Sequence, residues 1–429
     1  MSLLTRIARN SFWLLTARIG AQASMVIITY LLARRLGTAG FGEYAFIATA
    51  IVIGNTLTTF GSDMYLIREL AANSDFSELP AILVLQLALS LLFIGFVYLL
   101  SSHLPNQTPA SIMALKIYSF ALMPLAFFTV FTSMLRGAQK MTAYAWLNFV
   151  IPIVQVVAIS VLIQRGTGIV LLAYLLLGIQ IIGAILGGIF CAVIFPGFWR
   201  NFYFAADKLF SLITACLPIA LIAILGIIYQ KLSITMLSFL GGASMVGLFS
   251  AAARALEIAR IGHFAALTAL YPVMAESGTN QDSIKAIRTS WLFFLILAGA
   301  GSIFLFLFAR DLVLVFFGNE YLPSISVLKI ISFTLIPYTV NSFLSLAFLA
   351  ARQEKVIVRI LLASTLVLLF LNVWWIPRRS LIGAGWAILI AEIVQSILFL
   401  LAWRIRLPSR IRNTGPQNGG SYELPDISG

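Results

Sequence analysis

The chain has 429 residues, of which 61% are hydrophobic types and 10% are charged, with a mean hydropathy of +1.01. Soluble globular domains carry roughly a quarter charged residues, so that class is excluded. The formal net charge of +13 is distributed between apolar runs rather than gathered in one polar patch, which argues against nucleic acid as a partner.

Apolar stretches long enough to cross a bilayer recur from end to end, so the expected fold class is an all-α polytopic membrane protein. The pattern predicts twelve spans, near 11–33, 39–66, 80–101, 111–135, 143–163, 168–195, 211–237, 243–272, 286–308, 325–350, 356–376 and 382–403. The first is too long for a signal-peptide core and contains Arg18, so it is expected to persist as a helix. Pro80, Pro109 and Pro323 sit near helix starts, where proline is tolerated. Pro124, Pro152, Pro218, Pro272 and Pro337 fall within spans or near their ends and are expected to kink them. Cys191 and Cys216 lie in apolar runs and read as packed free thiols.

Basic residues set the orientation. With the N-terminus inside, sixteen Lys and Arg fall on inner segments, seven on outer segments and five within spans. Both termini are therefore expected in the cytoplasm. The halves also repeat. Leu36-Gly37 followed by Phe41-Gly42-Glu43-Tyr44 opens the second span; Leu240-Gly241 followed by Val246-Gly247-Leu248-Phe249 opens the eighth. Pro124 to Arg136-Gly137-Ala138-Gln139-Lys140 closes the fourth span, and Pro337 to Ala351-Arg352-Gln353-Glu354-Lys355 closes the tenth. Each pair is six spans apart, an even number, so the repeats run parallel about an axis along the membrane normal. This predicts a six-helix lobe over 1–200 and a second over 201–404. Residues 405–429 form a basic, then disordered, cytoplasmic tail.

The eighth span carries Arg254, Glu257 and Arg260. A charge at bilayer depth costs roughly 2.5–3.5 kcal/mol on insertion scales, so such groups face protein, water or ligand. At about 100° per residue the three share one sector of a helix. With Arg18 in the first span and Lys231 in the seventh, they make a cationic set suited to a phosphorylated anion. Glu257 stands three residues from each arginine, so simple neutralisation within the helix remains open beside a cavity role. Glu257 and Glu392 are the candidates for carrying a coupling proton. Asp63 is expected to pair near Arg68-Glu69, and His263 to be a packing residue. The sequence holds no phosphate-binding glycine loop followed by Lys-Ser/Thr and no metal-ligand spacing, so neither an enzyme nor a cofactor is expected.

Asn10-Ser-Phe-Trp13, Arg18, Ala33-Arg34-Arg35-Leu36-Gly37, Phe41-Gly42-Glu43-Tyr44, Gly61, Arg68-Glu69 and the Arg136-Gly-Ala-Gln-Lys140 end of the fourth span carry a resemblance. They look like the polysaccharide (O-antigen-type) repeat-unit flippases of the multidrug/oligosaccharidyl-lipid/polysaccharide exporter superfamily. The resemblance implies two six-helix lobes around a V-shaped cavity and alternating access. It implies an undecaprenyl-pyrophosphate-linked oligosaccharide as substrate, moved across the cytoplasmic (inner) membrane for surface polysaccharide export. It also implies basic cavity residues in the first and eighth helices, matched by location at Arg18 and Arg254; Lys231 and Arg260 complete the expected headgroup site. Membrane lipids surround such a protein, and a glycan polymerase or glycosyltransferases are further expected partners. Two alternatives stand: a cation-coupled multidrug exporter using Asp63, and a non-transporting scaffold for glycan-synthesis enzymes.

Overall fold

The computed structural model describes residues 3–73, 76–164, 166, 168–197, 207–269, 281–351 and 353–406, with side chains described except for 207, 406, most of 3–19 and all of 261–290. Among the described residues there are fourteen α-helices and no strand. The first half holds α1 (Leu3–Thr59), α2 (Ser62–Asn73), α3 (Leu79–Leu100), α4 (Pro109–Ser119), α5 (Leu122–Gly137), α6 (Met141–Gln164) and α7 (Ile169–Ile194). The second holds α8 (Asp207–Leu240), α9 (Ala243–Ala269), α10 (Gln281–Leu307), α11 (Ala309–Phe316), α12 (Ser324–Ser332), α13 (Leu335–Ala350) and α14 (Glu354–Arg406).

Six described helices are long and apolar enough to cross a membrane, and nine spans result if each of three bent pairs counts as one. Helices α1 and α14, with 57 and 53 residues, would each run about 80 Å if straight, against about 30 Å of hydrocarbon. Both are broken: α1 at Gly37 (φ 66°, ψ −175°) and α14 at Ser380, three residues after Pro377. Each therefore contributes two crossings. The positive φ of Gly37 explains why Leu-Gly stands between two otherwise uninterrupted apolar runs. Helix α9, 27 residues long and carrying Arg254, Glu257 and Arg260, supplies the remaining crossing. The total is the twelve read from the sequence.

Three spans are broken, two of them at prolines expected from the sequence to kink the helices and one, between α10 and α11, without such a signal. α4 and α5 meet at 40°, α12 and α13 at 45°, and α10 and α11 at 66°. Two of these follow from proline: its ring collides with the carbonyl four residues back. Counting back from Pro124 and Pro337 gives Phe120 and Phe333, where the two spans bend. Cys191 and Cys216 are both free and buried. Asp63 opens α2, and it forms none of the ion pairs found among the described residues.

Packing runs largely within each half: α1 on α6, α5 on α7, α8 on α14 and α13 on α14. The halves meet where α1 lies against α8 and α9. That contact is symmetric. A Cβ at Gly42 would lie 1.8 Å from the Ala243 carbonyl oxygen, and one at Gly247 would lie 1.9 Å from the Thr38 carbonyl oxygen. Gly42 and Gly247, like Thr38 and Ala243, are equivalent residues of the two repeats, so two helix starts cross backbone to backbone on the pseudo-twofold axis.

Two clasps flank the crossing. Arg34 donates from Nη2 to the Val315 carbonyl at 2.7 Å, and Tyr321 donates its hydroxyl to the Ala33 carbonyl at 3.1 Å. On the other side Asn106 donates to the Phe239 carbonyl at 2.6 Å and Gln107 to the Ser238 carbonyl at 3.2 Å. Ala33-Arg34 and Ser238-Phe239 are again repeat equivalents. Phe41, Phe317 and Tyr321 pack ring against ring beneath, with centroids 5.4–6.4 Å apart. The molecule is thus sealed between its halves at the Gly37 end.

Candidate functional site

Below that seal, a cavity of about 390 Å³ opens between the halves. Its walls come from α1 (Gln22, Met25, Ala48, Thr49, Val52), α8 (Gln230, Lys231), α9 (Arg254, Glu257, Arg260) and α13 (Tyr338). Arg254, Glu257 and Arg260 reach it because their spacing keeps them on one face of α9. The neighbouring faces of α9 carry Ala251 and Ala252, both fully buried, which let helices close in from behind.

The charges form a connected set. Glu257 Oε2 accepts from Arg254 Nη1 at 2.7 Å and Oε1 accepts from Lys231 Nζ at 3.2 Å. Arg260 turns the other way: its Nη2 lies 3.5 Å from Glu392 Oε1 and donates to the Thr334 hydroxyl at 3.1 Å. Its guanidinium sits 4.3 Å from the centroid of the Tyr338 ring, a cation–π contact. Glu392 is 4% exposed and also accepts from Asn341 Nδ2 at 2.8 Å. Ser396 donates to Asn341 Oδ1 at 2.8 Å, so the carboxylate stands in a built polar nest. Within that set Arg260 Nε and the Tyr229 hydroxyl are buried without a hydrogen-bond partner. Such atoms are costly to leave unsatisfied in low dielectric.

Four of the residues expected at the site therefore come together: Lys231, Arg254, Glu257 and Arg260. Glu392 is joined to them through Arg260 and lines an adjoining cavity of about 290 Å³ with Tyr229, Gln230, Asn341 and Gln395. Arg18 lies on α1 and His263 on α9, with side chains outside the described residues. Thr334 and Tyr338 were missed by the sequence reading. Their signal was Pro337, which breaks the span just after Thr334: the hydroxyl there donates back to the Ile331 carbonyl and leaves its oxygen to accept from Arg260.

A third cavity, about 320 Å³, shares Gln22, Met25, Arg254 and Glu257 with the first. Its remaining wall is apolar: Val26, Tyr30, Ile258, Phe304, Leu312 and Phe316 among others, from α1, α9, α10 and α11. The cationic pocket thus continues into a largely apolar cleft. Among the described lining residues, charge lies on the second half. The repeat equivalents of Arg254, Glu257 and Arg260 are Thr49, Val52 and Asn55, and that of Lys231 is Val26.

Residues 7–278 match the family model described as polysaccharide biosynthesis protein. The chain belongs to that family. No curated protein sequence matches it. Solved structures similar to this family member include an inward-facing multidrug resistance MATE family transporter of the MOP superfamily. The two share 16% identity at a TM-score of 0.76 over 92% of this chain and 96% of that one. The lipid II flippase MurJ in an inward closed conformation is similar at TM-score 0.72 and 13% identity, over 90% of this chain and 86% of that one. A MOP superfamily transporter from Pyrococcus furiosus gives TM-score 0.69 and 15% identity, over 95% and 96%. At these identities the likeness shows the fold alone: two lobes of helices arranged as in those structures.

Proposed function

We propose that the protein flips undecaprenyl-pyrophosphate-linked oligosaccharide repeat units across the cytoplasmic membrane, by alternating access, for surface polysaccharide export. The observation that carries this is the cationic cavity between the halves, with Lys231, Arg254 and Arg260 on its wall, continuous with a largely apolar cleft. A pyrophosphate head matches the cations, since arginine donates in pairs to phosphoryl oxygens. A polyprenyl chain matches the cleft and the bilayer beyond it. Arg18 on α1 would add a further cation from the facing half.

In this reading residues 1–200 and 201–404 rock as two bodies. The sealed Gly37 end faces the periplasm, and both termini face the cytoplasm, as the basic-residue count requires. Glu392 is the coupling candidate. When its carboxyl takes up a proton, its hold on Arg260 weakens and the guanidinium becomes free for the headgroup; when the proton leaves, Arg260 is recaptured. A cation-carrying drug exporter fits this cavity less well, because cations outnumber carboxylates on its wall.

The test is export in cells. Arg254→Ala and Arg260→Ala should each reduce surface glycan by tenfold or more at normal protein level, while Lys140→Ala, away from the cavity, should not. Full export by both arginine variants would defeat the reading.

A further inference from the structure

Glu257 has a position that headgroup binding alone does not explain. Its carboxylate sits on the cations a phosphoryl group would use, one oxygen on Lys231 and the other on Arg254. It borders all three adjoining cavities and is the more open of the two carboxylates, its side chain 32% exposed against 5% for Glu392. Glu392 is anchored by Asn341. The hydrogen bonds made by Glu257 among the described residues are those to the two cations themselves.

We propose that Glu257 is an internal stand-in for the anionic headgroup, occupying its place whenever the carrier is empty. This rests on the flippase reading above and concerns the regulation of the same site. Two carboxylate oxygens bridging Lys231 and Arg254 present the donors with what two non-bridging phosphoryl oxygens would present. An arriving pyrophosphate displaces the carboxylate, and release restores it.

The physical need is in the return step. A flippase reorients loaded in one direction and empty in the other. Loaded, the cations are neutralised by substrate. Empty, Lys231 and Arg254 would have to pass through a closed, low-dielectric state unpaired, which is strongly unfavourable. Glu257 removes that barrier and, by competing, keeps the headgroup from binding too tightly to leave. One carboxylate against the two cations it bridges leaves the occupied site still attractive to a dianion.

The expected signature separates exchange from net movement. The full chain is placed in nanodiscs of phosphatidylcholine, so that added inorganic pyrophosphate is the one net anion offered. Glu257→Gln should bind pyrophosphate about tenfold more tightly than the parent, the size of losing one competing charge-assisted hydrogen bond. In proteoliposomes it should exchange a short-chain prenyl-pyrophosphate saccharide between leaflets at near-parental rate while losing most net flipping. Glu257→Asp keeps the charge with shorter reach and should fall between the two, which also covers a poorly folding glutamine variant. Pyrophosphate affinity unchanged or weaker in Glu257→Gln, with Arg254→Ala abolishing binding, would overturn the stand-in and leave the site reading intact. Binding untouched by Arg254→Ala would remove the site reading itself.

Discussion

Replacing Gly42 or Gly247 by alanine should unlock the Gly37 end. The added methyl carbon would sit 1.8 Å from the Ala243 oxygen or 1.9 Å from the Thr38 oxygen, and both obstacles are backbone. Ordinary carbon–oxygen contact begins near 3.4 Å, so the helix starts must part by about 1.5 Å. Forcing an extra methyl into a packed contact costs about 1–3 kcal/mol. Alanine also favours a helix over glycine by about 0.5–1 kcal/mol, but both conformations of the carrier contain the helix, so that gain cancels. A penalty of about 2 kcal/mol borne by the sealed form alone shifts the sealed-to-open ratio roughly thirtyfold. The assay is thiol labelling. Thr49→Cys places a reporter in the cavity wall, in a background where Cys191 and Cys216 are replaced by serine. A membrane-impermeant maleimide is applied from the Gly37 side. Labelling should accelerate at least tenfold in Gly42→Ala and Gly247→Ala, and stay at the parental rate in Gly226→Ala, whose methyl meets open space. Parental labelling rates in both crossing variants, with normal folding, would refute the idea that this contact is the seal.

Arg34→Met removes the 2.7 Å bond to the Val315 carbonyl and should raise the same labelling rate by a smaller factor, about three- to tenfold for a charged hydrogen bond of partial exposure. Asn372 is fully buried and donates to the Ser233 hydroxyl at 3.0 Å; Asn372→Leu leaves that hydroxyl unpaired and should cost about 1–3 kcal/mol, read as a lower unfolding temperature in detergent. Glu392→Gln fixes the neutral form and releases Arg260, so headgroup binding should persist while the response of export to the proton gradient disappears; a gradient response equal to the parent's would exclude Glu392 as the coupling group.

Much of the architecture was legible because bilayer thickness is a hard ruler. Twelve apolar runs of the right length, parted by Leu36-Gly37, by charge or by proline, leave few other arrangements. The repeat of Phe41-Gly42 and Val246-Gly247 was legible as similarity, but its consequence was not. Nothing in the order of residues says that the two copies touch, whereas a twofold axis makes equivalent residues near it into neighbours. The short helix α11 escaped notice because Arg310 and Asp311 interrupt an apolar run too short to cross. At the site, Glu257 with Arg254 is written in the spacing. Arg260 with Glu392 is not: the partners lie on different helices far apart in the chain, and a lone intramembrane carboxylate does not name the cation that neutralises it.

The two halves share a scaffold and divide the chemistry. Symmetry is kept at the glycine crossing, the paired clasps and the proline-broken spans. It is lost at the cavity wall, where Thr49 and Val52 of α1 stand opposite their repeat equivalents Arg254 and Glu257. Repulsion between cations on facing walls opposes closing, most severely when the carrier is empty. Gathering Lys231, Arg254 and Arg260 on one wall limits it, and lets their balancing carboxylates, Glu257 and Glu392, be supplied from within that same half at fixed distances. Charge balance is then independent of how the halves are tilted. Moving an arginine across to the facing wall, as in Thr49→Arg with Arg254→Thr, keeps the cavity charge and removes that independence. Pyrophosphate binding should survive the swap while net flipping falls well below the parent, and a swap that flips normally would show that placement on one wall is incidental.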